Sequence, residues 1–359
     1  MEAIQAKDYQ VVFGGNGYTN LNAILKEKKY SILFILVDSN THEHCLAPFL
    51  QNVVTQTTIE IIEVDPGEEF KNLETCEGVW NVLSELNADR KSALINLGGG
   101  VVTDLGGFVA CCFKRGIDFI NIPTTLLAMV DASVGGKTGV DLGPLKNQIG
   151  IISNPELVLV DTHFLGTLSI EELRSGYAEM LKHGLISSET YWQTVKEADY
   201  SDFESLGGLI RQSIAIKNEV VLEDPFEKNR RKSLNYGHTL GHAIESYFME
   251  SDQKQRLLHG EAIAIGMILA NYLSTQLCDL EEVVCNELSS AIMSFYQVVQ
   301  FDDKDIEQII TLLKYDKKNS HGKVLFVLLN NIGEVVLNQE VSNELIYKAF
   351  EYYKNLNKN

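Results

Sequence analysis

Long apolar runs are missing from this chain of 359 residues. No stretch of 18 or more consecutive apolar residues occurs, which excludes a helix spanning a bilayer. Basic charge is scarce as well. Lys and Arg total 30 against 49 Asp and Glu, for a net charge of −19, and this argues against nucleic acid or an anionic membrane surface as partner. The opening Met1-Glu-Ala-Ile-Gln-Ala-Lys-Asp8 has neither a basic flank nor an apolar core, so no signal peptide is expected. The six cysteines form no CxxC pair. They are expected to be reduced thiols in a cytoplasm. HExxH is absent, which excludes a zincin-type protease. No internal repeat, low-complexity tract or long linker is found.

What is present fits a two-domain enzyme, with 45% hydrophobic and 22% charged residues. The first part alternates strands and helices. Strands are predicted near 8–18, leading into a glycine turn, and at 31–38, 57–64, 92–97, 117–123 and 156–161. This spacing indicates a mostly parallel, Rossmann-like sheet. Ser31 to Asp38 is an apolar run ending in an acid, which reads either as a ribose ligand or as a helix cap. Asp65 to Lys71 is a turn opening a helix. Gly98-Gly-Gly100 follows a strand and opens a helix from Leu105, a geometry suited to a diphosphate. It is not GxGxxG, because Thr103 stands at the third position. Gly136-Lys-Thr138 resembles the end of a P-loop, but the first glycine would fall at Asp131; the stretch reads as a glycine-rich loop carrying a cation. After about residue 165 amphipathic helices dominate, interrupted by a late hairpin. The expected domains are 1–163, α/β and dinucleotide-binding, and 164–359, mainly helical.

The densest chemistry lies at Leu234-Asn-Tyr-Gly-His-Thr-Leu-Gly-His-Ala-Ile-Glu245 and Leu258-His-Gly-Glu261. His238 and His242 are four apart, on one helical face, with Glu245 three further on. Together with His259 they make three of the chain's 8 histidines. Catalytic zinc takes three protein ligands and leaves a position open. The candidates are His238, His242 and His259 with one of Glu179, Glu245 or Glu261, and spacing does not choose among them. Helix-interior glycine costs about 1 kcal/mol, so Gly237 and Gly241 suggest that something approaches the backbone closely. Arg115, Lys137, Lys146, Lys182, Lys217, Arg230, Arg231 and Lys317-Lys318 lie near these motifs, which favours a phosphate or carboxylate pocket.

The motifs Gly98-Gly-Gly-x-x-x-Asp104, Ile122-Pro-Thr-Thr-Leu-Leu-Ala-x-Val-Asp-Ala-Ser-Val-Gly-Gly-Lys137, Lys146-Asn-x-Ile-Gly150, Glu179-Met-Leu-Lys182 and Asn235-Tyr-Gly-His-Thr-x-Gly-His-Ala-Ile-Glu245 resemble, in order, those of the 3-dehydroquinate synthase family. These are sugar-phosphate cyclases related to metal-dependent polyol dehydrogenases. The resemblance implies conversion of 3-deoxy-D-arabino-heptulosonate 7-phosphate to 3-dehydroquinate, in the shikimate pathway. The steps are transient oxidation, β-elimination of phosphate, reduction, ring opening and aldol closure. It implies NAD, one divalent metal (Zn or Co), an active site in the cleft between the domains and a homodimer.

It assigns Glu179, His238 and His259 as metal ligands and makes His242 a proton-handling residue. It implies cofactor contacts from Asp38, Glu68, Lys71, Gly98, Gly99, Gly100, Asp104, Thr124, Thr125, Asp131, Lys137, Lys146, Phe164 and Thr167. Substrate contacts are implied for Arg115, Asp131, Lys137, Lys146, Asn147, Lys182, Lys217, Arg231, Asn235, His242 and one of Lys317 and Lys318. Gly166-Thr167 departs from a common Lys-Thr there. The alternatives are a sister cyclase making a deoxy-inosose or valiolone-type ring, an NAD-dependent polyol dehydrogenase, and a non-catalytic NAD-binding protein.

Overall fold

The computed structural model describes residues 1–143, 145–200, 202–251, 254–313 and 324–356. Two compact units form: Met1–Ser169 with Ser201–Asn218, and Ile170–Tyr200 with Glu219–Asn359. The chain therefore crosses between units more than once.

In the first unit, the apolar runs become the strands of one sheet. They are β1 (Ile4–Gln5), β2 (Gln10–Phe13), β3 (Ile32–Asp38), β4 (Thr58–Val64), β5 (Ala93–Gly98), β6 (Asp118–Pro123) and β9 (Leu157–Val160). Their order is β1-β2-β9-β6-β5-β3-β4, parallel except for β1 with β2. Continuous apolar strands suit a parallel sheet covered on both faces. The helices are α1 (Gly14–Lys28), the short α2 (Ser39–Thr41) and α3 (Ala47–Asn52), α4 (Leu73–Glu85) and α5 (Gly100–Cys112). Phe34, Leu36 and Leu94 of the sheet share a core with Val79 and Leu83 of α4 and with Leu105 and Val109 of α5.

β3 pairs with β4 on one side and β5 on the other. Successive connections thus run in opposite directions from β3. A doubly wound sheet binds ligands at the carboxyl ends of the strands at such a switch point. Asp38 ends β3 and Gly98 ends β5, so both lie there.

Two stretches differ from expectation. The glycines at 14–17 are not a turn: α1 begins directly at Gly14. The glycine-rich stretch after Asp131 is not all loop either. It forms an antiparallel hairpin of β7 (Lys137–Leu142) and β8 (Leu145–Ile152).

The second unit is mainly helical: α6 (Ile170–Ser187), α7 (Glu189–Glu197), α9 (His238–Glu250), α10 (His259–Leu277), α11 (Glu282–Met293), α12 (Asp303–Leu312) and α13 (Asn343–Leu356). α8 (Phe203–Glu223) belongs to the first unit as far as Asn218. A hairpin of β10 (Leu325–Asn331) and β11 (Glu334–Glu340) completes the unit. α10 is its axis, packing on α6, α9, α11, α13 and β10. Among the described residues, no helix is long and apolar enough to cross a membrane.

Candidate metal centre and dinucleotide cradle

Glycines set the geometry of the candidate metal centre. α9 and α10 cross where Gly237, Gly241 and Gly266 lie. A Cβ on Gly266 would stand 2.0 Å from the Gly237 carbonyl, and one on Gly241 would stand 2.7 Å from Ile263 Cδ1. Gly237 caps α9 with a left-handed φ of 77°, which glycine adopts without steric penalty. The close approach suggested by these glycines is therefore that of α10. Gly260 does the same against α6: its Cβ would lie 2.0 Å from Ser175 O, and its N–H donates to Ser175 Oγ at 3.0 Å. Ser175 is one turn before Glu179. The result brings His238 (α9), His259 (the first residue of α10) and Glu179 (α6) together.

Glu179 Oε1 lies 3.3 Å from His238 Nε2 and 3.5 Å from His259 Nε2. The other carboxylate oxygen accepts from Lys182 Nζ. Glu179 is fully buried, and its Oε1 makes no hydrogen bond. Burial alone would raise the Glu179 pKa, but the Lys182 ammonium and the His238 ring outweigh it and hold the group well below the usual carboxylate range.

His238 Nδ1 is 3.0 Å from Tyr236 O and His259 Nδ1 is 3.1 Å from Glu245 Oε2. A carbonyl and a carboxylate can only accept, so both Nδ1 atoms donate. A neutral imidazole then presents its Nε2 lone pair to the shared point. For His259 burial opposes charge, yet Glu245 and Glu179 prevail and push its pKa up to about 10.

Two ligands on a tetrahedral ion, each about 2.0–2.1 Å from it, stand roughly 3.3–3.4 Å apart. The observed separations and the unpartnered Oε1 fit a Zn- or Co-sized cation. The other two carboxylates are engaged elsewhere. Glu245 serves His259 Nδ1, and Glu261 Oε2 accepts the Leu258 N–H as a cap. The His242 ring packs at 5.1 Å from His238 and 5.8 Å from His259 between centroids. The possible ligand nitrogens of His238, His242 and His259 all lie within 4.8 Å of one another.

Arg231 and Asn235 precede this helix in a 3₁₀ turn, Arg230–Asn235. Asp224 organises the approach by accepting the N–H groups of Lys228, Asn229 and Arg231. Buried Arg231 donates from Nη1 to Pro225 O at 2.8 Å, and Asn235 donates to Glu227 Oε1 at 2.6 Å. Asp224 and Glu227 were missed in the sequence; the Asp224-Pro225 turn pair was the available signal. Lys317 and Lys318 lie outside the described residues.

The first unit carries the second set. α5 starts at Gly100 with Gly99 as its N-cap. Gly98 leaves no room for a side chain, since a Cβ would meet Val102 at 2.6 Å. The Thr124 N–H donates to Gly98 O at 3.0 Å, and Thr125 Oγ1 accepts from Ala128 N. Buried Thr124 Oγ1 has no hydrogen-bond partner among the described residues. A 13-residue helix beginning in glycines, with N–H groups at its open end, can take an anion.

Beside it lies an ion-pair network. Lys71 Nζ is 2.9 Å from Asp104 and 3.5 Å from Glu68. Lys146 Nζ is 2.9 Å from Glu68 and 3.4 Å from Asp141. Burial pulls the Lys71 pKa down, but Asp104 and Glu68 overcome it, so its ammonium persists. Asn147, in a left-handed φ of 50°, donates its N–H to Asp141 Oδ1. Lys217 Nζ donates at 2.6 Å to both Oδ1 and the carbonyl of Asp131. Lys137 opens β7 and is exposed.

Asp38 caps α2 through Oδ1 to the Thr41 N–H at 2.8 Å. Phe164 is buried core, and Thr167 donates to its carbonyl. Arg115 lies at the opposite end of α5 from the Gly98–Gly100 cradle. It is exposed, at φ 70°, beyond the C-terminus of α5, about 20 Å of helix from Gly100.

The family models for the 3-dehydroquinate synthase N-terminal and C-terminal domains match residues 61–175 and 176–319. A 3-dehydroquinate synthase of Parabacteroides distasonis is 42% identical over 339 residues, 94% of this chain and 95% of that one. One from Campylobacter jejuni is 40% identical over 303 residues, 82% and 85% of the two chains. Among solved structures, a 2-deoxy-scyllo-inosose synthase complexed with carbaglucose-6-phosphate, NAD⁺ and Co²⁺ superposes with a TM-score of 0.83. It is 25% identical, with 98% and 99% of the chains covered. A 2-epi-5-epi-valiolone synthase from Streptomyces hygroscopicus with NAD⁺ and Zn²⁺ bound gives 0.79 at 24%, with 99% of each chain covered. The chain belongs to the 3-dehydroquinate synthase family.

Proposed function

We propose that this chain is a 3-dehydroquinate synthase, converting 3-deoxy-D-arabino-heptulosonate 7-phosphate to 3-dehydroquinate and phosphate. The observation that carries the reading is Glu179 Oε1 facing two imidazole Nε2 atoms, in a chain of that family. When bound, NAD⁺ supplies a transient hydride acceptor, and a Zn²⁺ or Co²⁺ ion supplies Lewis-acid polarisation of substrate hydroxyls.

The chain's own residues do the rest. Glu179, His238 and His259 hold the ion. Lys182 keeps Glu179 ionised and fixes which oxygen faces the imidazoles. Gly98 to Gly100 and the α5 N-terminus hold the dinucleotide's diphosphate, with Asp38 near a ribose and Thr124 and Thr125 lining the cradle. Lys71 and Asp104 fix one another beneath it, and Glu68 holds Lys146 in place. Lys137, Lys146, Asn147, Lys217 and Arg231 bind the anionic substrate and stabilise the departing phosphate. Asp131 positions Lys217 through its 2.6 Å contacts. Asn235 orients the substrate, and His242 handles a proton. The active unit is a homodimer in the cytoplasm.

The test is phosphate release from the heptulosonate phosphate with NAD⁺, with and without a chelator. Release without NADH accumulation is expected, and its loss with chelator or in His259→Ala. Likeness to the inosose synthase at a TM-score of 0.83 favours a sister cyclase as second reading. Phosphate release from glucose 6-phosphate alone would select it. Net NADH from a simple polyol would select a dehydrogenase.

A further inference from the structure

The two histidines that present Nε2 to Glu179 are held differently from behind. His238 leans on a neutral backbone carbonyl, that of Tyr236. The Tyr236 hydroxyl donates to Asn271 Oδ1, and Asn271 Nδ2 donates to Ser289 Oγ at 3.1 Å. This fixed chain of neutral groups pins the carbonyl. His259 instead leans on a carboxylate, Glu245 Oε2, at 3.1 Å. Glu245 lies on α9, seven residues beyond His238 and three beyond His242, so the helix turns it toward the same side. His259 opens α10. The contact therefore joins α9 and α10.

We infer that Glu245 is a positioning residue of the metal centre: its carboxylate holds the His259 Nδ1 proton and so makes Nε2 the more strongly donating of the two imidazole ligands. The assignment rests on the metal site proposed above and deepens it. It follows from acceptor chemistry. A carboxylate cannot donate, so Nδ1 keeps the proton and the neutral ring has its lone pair on Nε2. A negative charge behind an imidazole also raises its basicity toward an ion in front. A carbonyl behind His238 enforces the same tautomer without charge. The site thus has one charged and one neutral support, and removing the charged one should weaken metal binding more than an ordinary packing defect would.

Two substitutions separate orientation from charge. Glu245→Gln keeps an oxygen able to accept from Nδ1 and loses only the charge. Glu245→Ala loses both. Co²⁺ affinity is measured on the full chain by competition with a chromophoric chelator, together with the visible d–d spectrum of the Co²⁺ protein. Thermal unfolding of the metal-free forms reports folding. The expected result is about tenfold weaker binding in E245Q and about a hundredfold in E245A. A shifted Co²⁺ spectrum and a nearly unchanged metal-free midpoint in E245Q should accompany it. Co²⁺ binding by both variants within twofold of wild type, with an unchanged spectrum, overturns the assignment. So does a loss in E245Q matched by an equal loss on replacing the exposed Glu77 of the first unit. Should E245Q lose affinity while the wild type releases no phosphate from the heptulosonate phosphate, the reaction falls and this role for Glu245 stands.

Discussion

Glu179 carries two jobs on its two oxygens. One accepts from Lys182 and the other faces the two imidazoles. Glu179→Gln removes the charge that balances Lys182 in a fully buried site. The expected outcome is loss of metal by elemental analysis and turnover reduced at least a hundredfold, because a buried ion pair broken on one side is strongly destabilised. Spacing alone did not choose the acid; the family resemblance assigned Glu179. Glu179, Glu245 and Glu261 all stood near histidines in reading order. The choice depends on which acid is consumed by a cap and which by an Nδ1 proton, and both depend on α6, α9 and α10 meeting. Arg115 stands at the far end of α5 from Gly100, about a helix length along the chain.

Asp305 is buried, accepts from Tyr247 at 2.6 Å and from Lys254 at 2.7 Å, and caps the start of α12 with Asp302. Burial would raise its pKa, but the bonds from Lys254 and Tyr247 prevail and lower it. A depressed carboxylate stabilises the fold above its unfolded pKa, and that contribution disappears as pH falls through the folded value. Asp305→Asn should cost about 1–3 kcal/mol in denaturant unfolding at neutral pH. The gap to wild type should close below about pH 4.

At the scale of elements, the helix crossings depend on missing side chains. Gly266→Ala would place a methyl 2.0 Å from the Gly237 carbonyl. Backbone cannot yield as a side-chain tip does, so α9 and α10 must part. Loss of about 1–3 kcal/mol or more is expected, with metal affinity falling alongside because His238 and His259 ride on the separated helices. Calorimetry and metal titration of the one variant read both. Strands and helices with a clear period were legible: β3 and β6 lie close to where pattern placed them. β7 and β8 were not, because Gly139 and Gly150 interrupt their alternation. These two face each other, and a Cβ on Gly139 would stand 2.5 Å from the Ile149 carbonyl. The glycines that hid the strands let them pair so closely.

For the molecule as a whole, the ion as proposed would draw its ligands from three helices, with Glu179 and His259 far apart in sequence. An ion bound only by the folded form stabilises it by about 4 kcal/mol at a thousandfold excess over Kd. Chelation should therefore lower the thermal midpoint of the wild type and leave that of His259→Ala unmoved. Scanning calorimetry with and without chelator decides it. The parallel sheet and helical second half were legible because period and run length are local signals. The interleaving of units, with 201–218 in the first and 170–200 in the second, was not. A helix such as α8 carries no local mark at the point where its surroundings change.

α10 has one more consequence, for biosynthesis. Its face toward α6 and α9 is covered by chain already made, but α11, β10 and α13 follow it. α13 ends at Leu356, 79 residues after Leu277. At about 5–20 residues per second, roughly 4–16 s pass on the ribosome. During that interval the stretch of α10 that meets these later elements through Asn271, Tyr272 and Ser274 lacks its cover. A nascent chain paused in that window is the form most exposed to aggregation and most in need of a chaperone.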